Sequence, residues 1–140
     1  MQIPEDNLKH SDITEKIIGV FYDVYNELGE GFLESVYHNA VCIALNQAGL
    51  HAEREVGLPV FFRGQIVGDF RADLVVNNRL IVELKTVRAL DHSHEAQLFH
   101  YLRSTKIEVG LLLNFGPRPQ FKRVAFDNLR KKSAAVTVSI

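Results

Sequence analysis

Residues 109–115, Val-Gly-Leu-Leu-Leu-Asn-Phe, present almost no polar face to water. A strand of that composition is stable only where both of its faces are covered, so this chain has to build a sheet packed on two sides. The remaining sequence supplies the elements for it. From Ser11 onward, Ile13, Ile17, Val20, Phe21, Val24 and Leu28 recur at helical spacing, with Ser11 or Asp12 expected to cap the start. Gly29-Glu30-Gly31 breaks that helix. A second is expected from about Phe32 to Ala48, carrying Val36, Ala40, Ile43, Ala44 and Gln47 on successive turns and ending at Gly49.

The pattern then turns to short β-type runs, expected over about Ala52 to Phe62, Ile66 to Val76 and Leu80 to Val87, with a turn at Arg63-Gly64-Gln65. A helix over about Ser93 to Ser104 carries Ala96, Leu98, Phe99 and Leu102. After the apolar strand, Pro117 and Pro119 punctuate a loop, and an edge strand is expected over about Phe121 to Phe126. The tail from Lys131 to Ile140 has no clear assignment. The order α-α-β-β-β-α-β-β predicts an α/β (α+β) domain with a mixed sheet, spanning residues 1–140 as one unit.

Composition excludes several function classes. At 140 residues, 46% hydrophobic and 24% charged, the chain has the make-up of a globular domain large enough to bury a core. No stretch approaches the ~20 apolar residues of a membrane helix. The charged N-terminal segment lacks the apolar run of a signal peptide, so a cytoplasmic protein with no membrane partner is expected. A single cysteine, Cys42, rules out an internal disulfide and any multi-cysteine zinc site, and its apolar neighbours predict a small buried residue. The net charge of -1 conceals an asymmetry: residues 1–50 hold eight acids and two bases, residues 51–140 nine acids and fourteen bases. A basic C-terminal part suits a phosphate-bearing partner.

Chemistry concentrates on the strand Leu80-Ile81-Val82-Glu83-Leu84-Lys85. Alternation sends Val82 and Leu84 to one face, Glu83 and Lys85 to the other. On the preceding strand Phe70, Ala72, Leu74 and Val76 form an apolar row, and Asp69, Arg71, Asp73 and Val75 the opposite one. A two-residue Asn77-Asn78 turn would pair Val76 with Arg79 and mix the rows. A three-residue connection, Asn77-Asn78-Arg79, pairs Val76 with Leu80, Leu74 with Val82 and Ala72 with Leu84, and sets Asp73 opposite Glu83. A one-residue slip exchanges the faces, so burial predicts the longer turn, and Asn tolerates the left-handed backbone it requires. Two carboxylates ~5 Å apart at Cβ repel one another unless a cation joins them. A hard divalent ion such as Mg²⁺ or Mn²⁺ suits those oxygens and can activate a water on a phosphodiester, with Lys85 facing the same way to stabilise developing charge.

Around these residues the pattern resembles the PD-(D/E)XK nuclease superfamily, and more closely the small family named for a G-x-x-E-x-x-Y motif. That motif stands here as Gly31-Phe32-Leu33-Glu34-Ser35-Val36-Tyr37. The resemblance continues through Asp73, the Ile81 to Lys85 strand, Gln97 with Tyr101, and Leu111 to Gly116, covering about residues 28–116. The Pro that gives the superfamily its name is replaced by Ala72. The resemblance implies a restriction endonuclease-like αβββαβ core, extended here by an N-terminal helix and a C-terminal edge strand. It implies Glu34, Asp73 and Glu83 as metal ligands, and Asp73, Glu83, Lys85 and Gln97 as the catalytic set. Gln97 and Tyr101, four apart, share a helical face, and the resemblance gives them the task of orienting a strand end or Lys85. Glu34 equally suits a helix first turn, where carboxylates are favourable.

Arg71 is the first candidate for a substrate phosphate, with Tyr101 and His94 as further substrate contacts. His92, His94 and His100 do not form a zinc pattern, because His94 and His100 lie on different helical faces. Other bases able to contact a nucleic-acid backbone are Arg88, Arg103, Lys106, Arg118, Lys122 and Arg123. No sequence-reading module is present. The expected function is Mg²⁺- or Mn²⁺-dependent hydrolysis of DNA in repair, processing or defence, with a homodimer as a candidate assembly. The alternative is a non-catalytic nucleic-acid-binding or assembly protein that keeps the fold.

Overall fold

The computed structural model describes residues 9–131. Helix α1 spans Ser11–Leu28 and α2 spans Glu34–Gln47. Strands β1 (Ala52–Phe62), β2 (Gln65–Val76) and β3 (Leu80–Lys85) follow, then α3 (His92–Arg103), β4 (Val109–Phe115) and β5 (Pro119–Ala125), with a 3₁₀ turn at Asn128–Arg130. The five strands lie in the order β1-β2-β3-β4-β5. All neighbours are antiparallel except β3 and β4, which run parallel across the α3 crossover.

Every residue of β4 is buried, because helices cover both faces of the sheet. On one side Ile13, Ile17, Phe21 and Val24 of α1 and Tyr37, Val41 and Leu45 of α2 pack on Leu74, Val76, Val82, Leu84, Leu111 and Leu113. On the other, Leu98, Tyr101 and Leu102 of α3 pack on Leu58, Ala72, Val75, Ile81 and Leu112. Gly110 lets α3 come this close: a Cβ there would run into the Leu98 side chain. The result is a mixed sheet between two helical layers, as the sequence predicts.

Several local expectations need correction. Neither Ser11 nor Asp12 caps α1; the cap position is His10, in a left-handed conformation without a side-chain cap bond. The buried stripe of α2 is Tyr37, Val41 and Leu45, while Ile43 is exposed and Cys42 only half-buried. The stripe is one residue out of phase with the predicted one, because the large Tyr37 ring outcompetes smaller residues for the core. Strand β3 ends at Lys85, and β5 begins at Pro119 rather than Phe121. The Arg63-Gly64 turn of the β1–β2 hairpin has positive φ at both residues (50° and 77°), a conformation that matches strand twist.

The β2–β3 connection is three residues long. Val76 pairs with Leu80, Val75 with Ile81 and Leu74 with Val82, and Asn77 and Asn78 take φ of 53° and 55°. The ladder stops there. Ala72 does not share a layer with Leu74, as strict alternation predicts, but packs on the α3 side. Beside this switch, Glu55 lies between the Arg54–Leu74 and Val56–Ala72 pairs with a positive φ of 52°. The β-alternation therefore slips at Asp73, and β2 and β3 exchange side-chain rather than backbone bonds beyond Leu74.

Candidate metal centre and catalytic lysine

Where the β2–β3 ladder ends, two carboxylates take over its hydrogen bonds. The Glu83 Oε1 accepts the Asp73 backbone N–H at 3.1 Å, and Asp73 Oδ2 accepts the Leu84 N–H at 2.8 Å. Glu83 is only 3% exposed. Burial first, and the adjacent Asp73 carboxylate second, push its carboxyl up to about 9. At neutral pH Glu83 without a cation therefore keeps its proton.

Helix α2 brings further ligand atoms from the opposite side. Glu34 occupies its first turn and His38 follows one turn later. The His38 Nε2 lies 3.4 Å from Glu34 Oε1 and 3.6 Å from Asp73 Oδ2. Ligand atoms of Glu34, His38 and Asp73 all lie within 4.8 Å of one another. Sequence reasoning missed His38, having weighed the histidines of α3 instead. The signal was present, since an imidazole four residues after Glu34 must share its helical face.

The G-x-x-E-x-x-Y segment explains how Glu34 is held. Gly31, at φ 105°, occupies backbone space that side chains rarely enter. The Tyr37 hydroxyl donates to the Gly29 carbonyl at 2.6 Å and accepts the Phe32 N–H at 3.3 Å, fixing the loop that enters α2. Its ring stacks on Phe115 of β4 at 4.2 Å. The glutamate is thus tied to the centre of the sheet through its own motif.

Lys85 emerges at the end of β3, and its Nζ donates to Gln97 Oε1 of α3 at 3.0 Å. Tyr101, one turn beyond Gln97, is buried against Phe70. Burial, then the charges of Glu83 and Asp73, push its phenol up to about 12, so it stays protonated beside the carboxylates. Asn114 braces the loop after Lys85 from β4, accepting the Val87 N–H at 3.0 Å and donating to the Val87 carbonyl at 2.9 Å. Two further predicted substrate contacts have protein partners of their own. Arg71 is exposed and donates to the Glu55 carbonyl. His94 belongs to the capping box of α3, its Nδ1 accepting the Asp91 N–H at 3.0 Å.

A mixed sheet between helical layers, with Asp, Glu and Lys at the ends of adjacent strands, defines the restriction endonuclease-like class of fold. The chain belongs to the PD-(D/E)XK nuclease superfamily, whose family model matches residues 11–124. No curated protein sequence matches it. Among solved structures, the crystal structure of SSO0001 is similar over 89% of this chain and 62% of its own, at 22% identity and a TM-score of 0.46. The chain therefore spans less than two thirds of that protein's length. No helix among the described residues is long and apolar enough to cross a membrane.

Proposed function

We propose that this protein is a divalent-metal-dependent nuclease that hydrolyses DNA phosphodiester bonds, and that it belongs to the G-x-x-E-x-x-Y branch of its superfamily. One observation carries the reading: Glu34, His38 and Asp73 place three ligand atoms within 4.8 Å of one another, beside the protonated Glu83 and the lysine on Gln97. The donor set fits a divalent cation. Acidic groups crowded this closely repel unless a proton or a cation lies between them, and two carboxylates plus an imidazole can hold Mg²⁺ or Mn²⁺. The His38 nitrogen tilts the preference toward Mn²⁺.

Asp73, Glu34 and His38 would hold the ion, with Glu83 joining once its proton leaves. When bound, the cation supplies polarisation of the phosphodiester and a more acidic water. Gln97 restrains the Lys85 ammonium so that it faces the phosphoryl oxygens and stabilises the charge that develops there. Tyr101 offers a neutral hydroxyl, and so adds no negative charge to repel the substrate.

Calorimetric titration with Mn²⁺ and Mg²⁺ tests the centre. The native protein is expected to bind Mn²⁺ more tightly, Asp73→Ala to bind neither ion, and His38→Ala to lose more affinity for Mn²⁺ than for Mg²⁺. Equal binding by Asp73→Ala would refute the metal centre. Cleavage of linear, single-stranded and branched DNA is expected to stop with chelator and to fall at least ~100-fold in Lys85→Ala, as for loss of a transition-state donor. Cleavage indifferent to both would belong to another protein.

A further inference from the structure

On the α3 side of the sheet, the β1–β2 hairpin, α3 and the 3₁₀ turn line an open cavity of about 800 Å³. Three phenyl rings line it, Phe70, Phe99 and Phe126. Its polar lining is Ser104 and four basic residues, His100, Arg103, Arg130 and Lys131, and no acidic side chain among the described residues opens onto it. Lys131 is engaged with the Thr105 and Ile107 carbonyls. Arg103, by contrast, has no hydrogen-bond or ion-pair partner among the described residues. Arg130 lies over the Phe126 ring at 5.2 Å and forms no ion pair among the described residues. Past Phe99 the surface continues to Lys122, whose charge Glu95 already meets at 3.5 Å. Uncompensated positive charge is thus concentrated where the aromatic rings are.

We propose that this cavity binds a short single-stranded segment of nucleic acid, with bases against Phe70 and Phe99 and phosphates on Arg103 and Arg130. The inference rests on the nuclease reading for its partner and deepens it by naming the strand state. Accessible rings in a concavity offer their faces to unstacked bases, and every base has a face to offer them, whereas a duplex keeps its bases stacked inside. Free guanidinium groups beside aromatic rings supply the other half of such a site. The cavity also communicates with the centre. Phe70 touches Tyr101 with ring centroids 5.6 Å apart, and α3 carries both Gln97, bonded to Lys85, and the cavity residues Phe99, His100 and Arg103. A strand lying there enters the site along one helix.

The test is fluorescence anisotropy of a fluorescein-labelled oligodeoxythymidylate, and of a duplex of equal length, with the full chain in chelator so that nothing is cut. The single strand is expected to bind at least ~10-fold more tightly than the duplex. The exposed pair Arg103→Ala/Arg130→Ala should weaken binding ~10-fold and flatten the salt dependence by about 1.4, the slope of two single-strand phosphates. Phe99→Leu keeps the fold's apolar volume and should weaken binding ~10-fold without changing the slope. Unaltered affinity in these variants, a native protein that binds no single strand, or a duplex bound as well as the single strand would each overturn the proposal. Mn²⁺ titration of the same proteins separates it from the nuclease reading. Strand binding without Mn²⁺ binding leaves the cavity standing and sinks catalysis, while Mn²⁺-dependent cleavage unaffected by the cavity variants does the reverse.

Discussion

Glu83 is held in a position that favours its protonated form, and this has a consequence for stability. Its carboxyl is pushed up to about 9 in the folded chain from the ordinary 4.5, because burial and Asp73 both disfavour the anion. The folded state therefore holds a proton that the unfolded chain releases. The contribution to stability is full below about pH 4.5 and is lost as pH rises toward about 9. Without metal, the denaturation midpoint of the native protein is expected to fall between pH 5 and 8. Glu83→Gln, which is permanently neutral and nearly isosteric, should flatten that profile and stabilise the metal-free fold at pH 8 by several kcal/mol. The same substitution should weaken Mn²⁺ binding, trading function for stability. Parallel urea-denaturation profiles for the two proteins would show that the buried carboxyl is not strained. The meeting of Asp73 with Glu83 was legible in the sequence because turn length and register are one-dimensional rules. The proton held on Glu83 was not, since it depends on how deeply β3 is covered by helices remote in sequence.

At the scale of elements, the loop entering α2 decides how well Glu34 is aimed. Tyr37→Phe deletes one hydroxyl that serves both the Gly29 carbonyl and the Phe32 N–H, while keeping the ring on Phe115. A net loss of about 1–2 kcal/mol is expected, because a half-buried carbonyl is left without its donor. Mn²⁺ affinity should drop several-fold as Glu34 loses its brace, and both effects are measurable by denaturation and calorimetry on the same samples. A variant as stable as the native protein but equally tight for metal would assign Tyr37 to packing alone. The three-residue β2–β3 turn was readable because a two-residue turn would have buried Arg79 against Val76. The slip at Asp73 was not readable. It goes with the positive φ of Glu55 on the neighbouring strand, a residue with no glycine to announce it. The phase of α2 was misread for a related reason: its small residues fit either face, and only the fit of Tyr37 against Phe115 selects one.

For the molecule as a whole, the layers were foreseen from the apolar run of β4, but the bridging of two of them at one point was not. Glu34 and His38 belong to the α1–α2 layer, Asp73 and Glu83 to the sheet, and Gln97 to the α3 layer. A cation held by Glu34, His38 and Asp73 therefore ties the helical layer to the sheet, and it does so only in the folded chain. Mn²⁺ at 100 times its Kd should raise the unfolding free energy by about 2.7 kcal/mol. That corresponds to a rise in Tm on the order of 9 °C for a domain of this size. The gain should grow with pH, because the cation displaces the Glu83 proton and that displacement costs less as the solution becomes more alkaline. Amide exchange locates the effect: protection should increase most in the first turns of α2 and at the ends of β2 and β3, where the layers meet. If Mn²⁺ binds by calorimetry yet protection rises only along α3, the ion sits on the α3 histidines, and the layer-bridging centre is wrong.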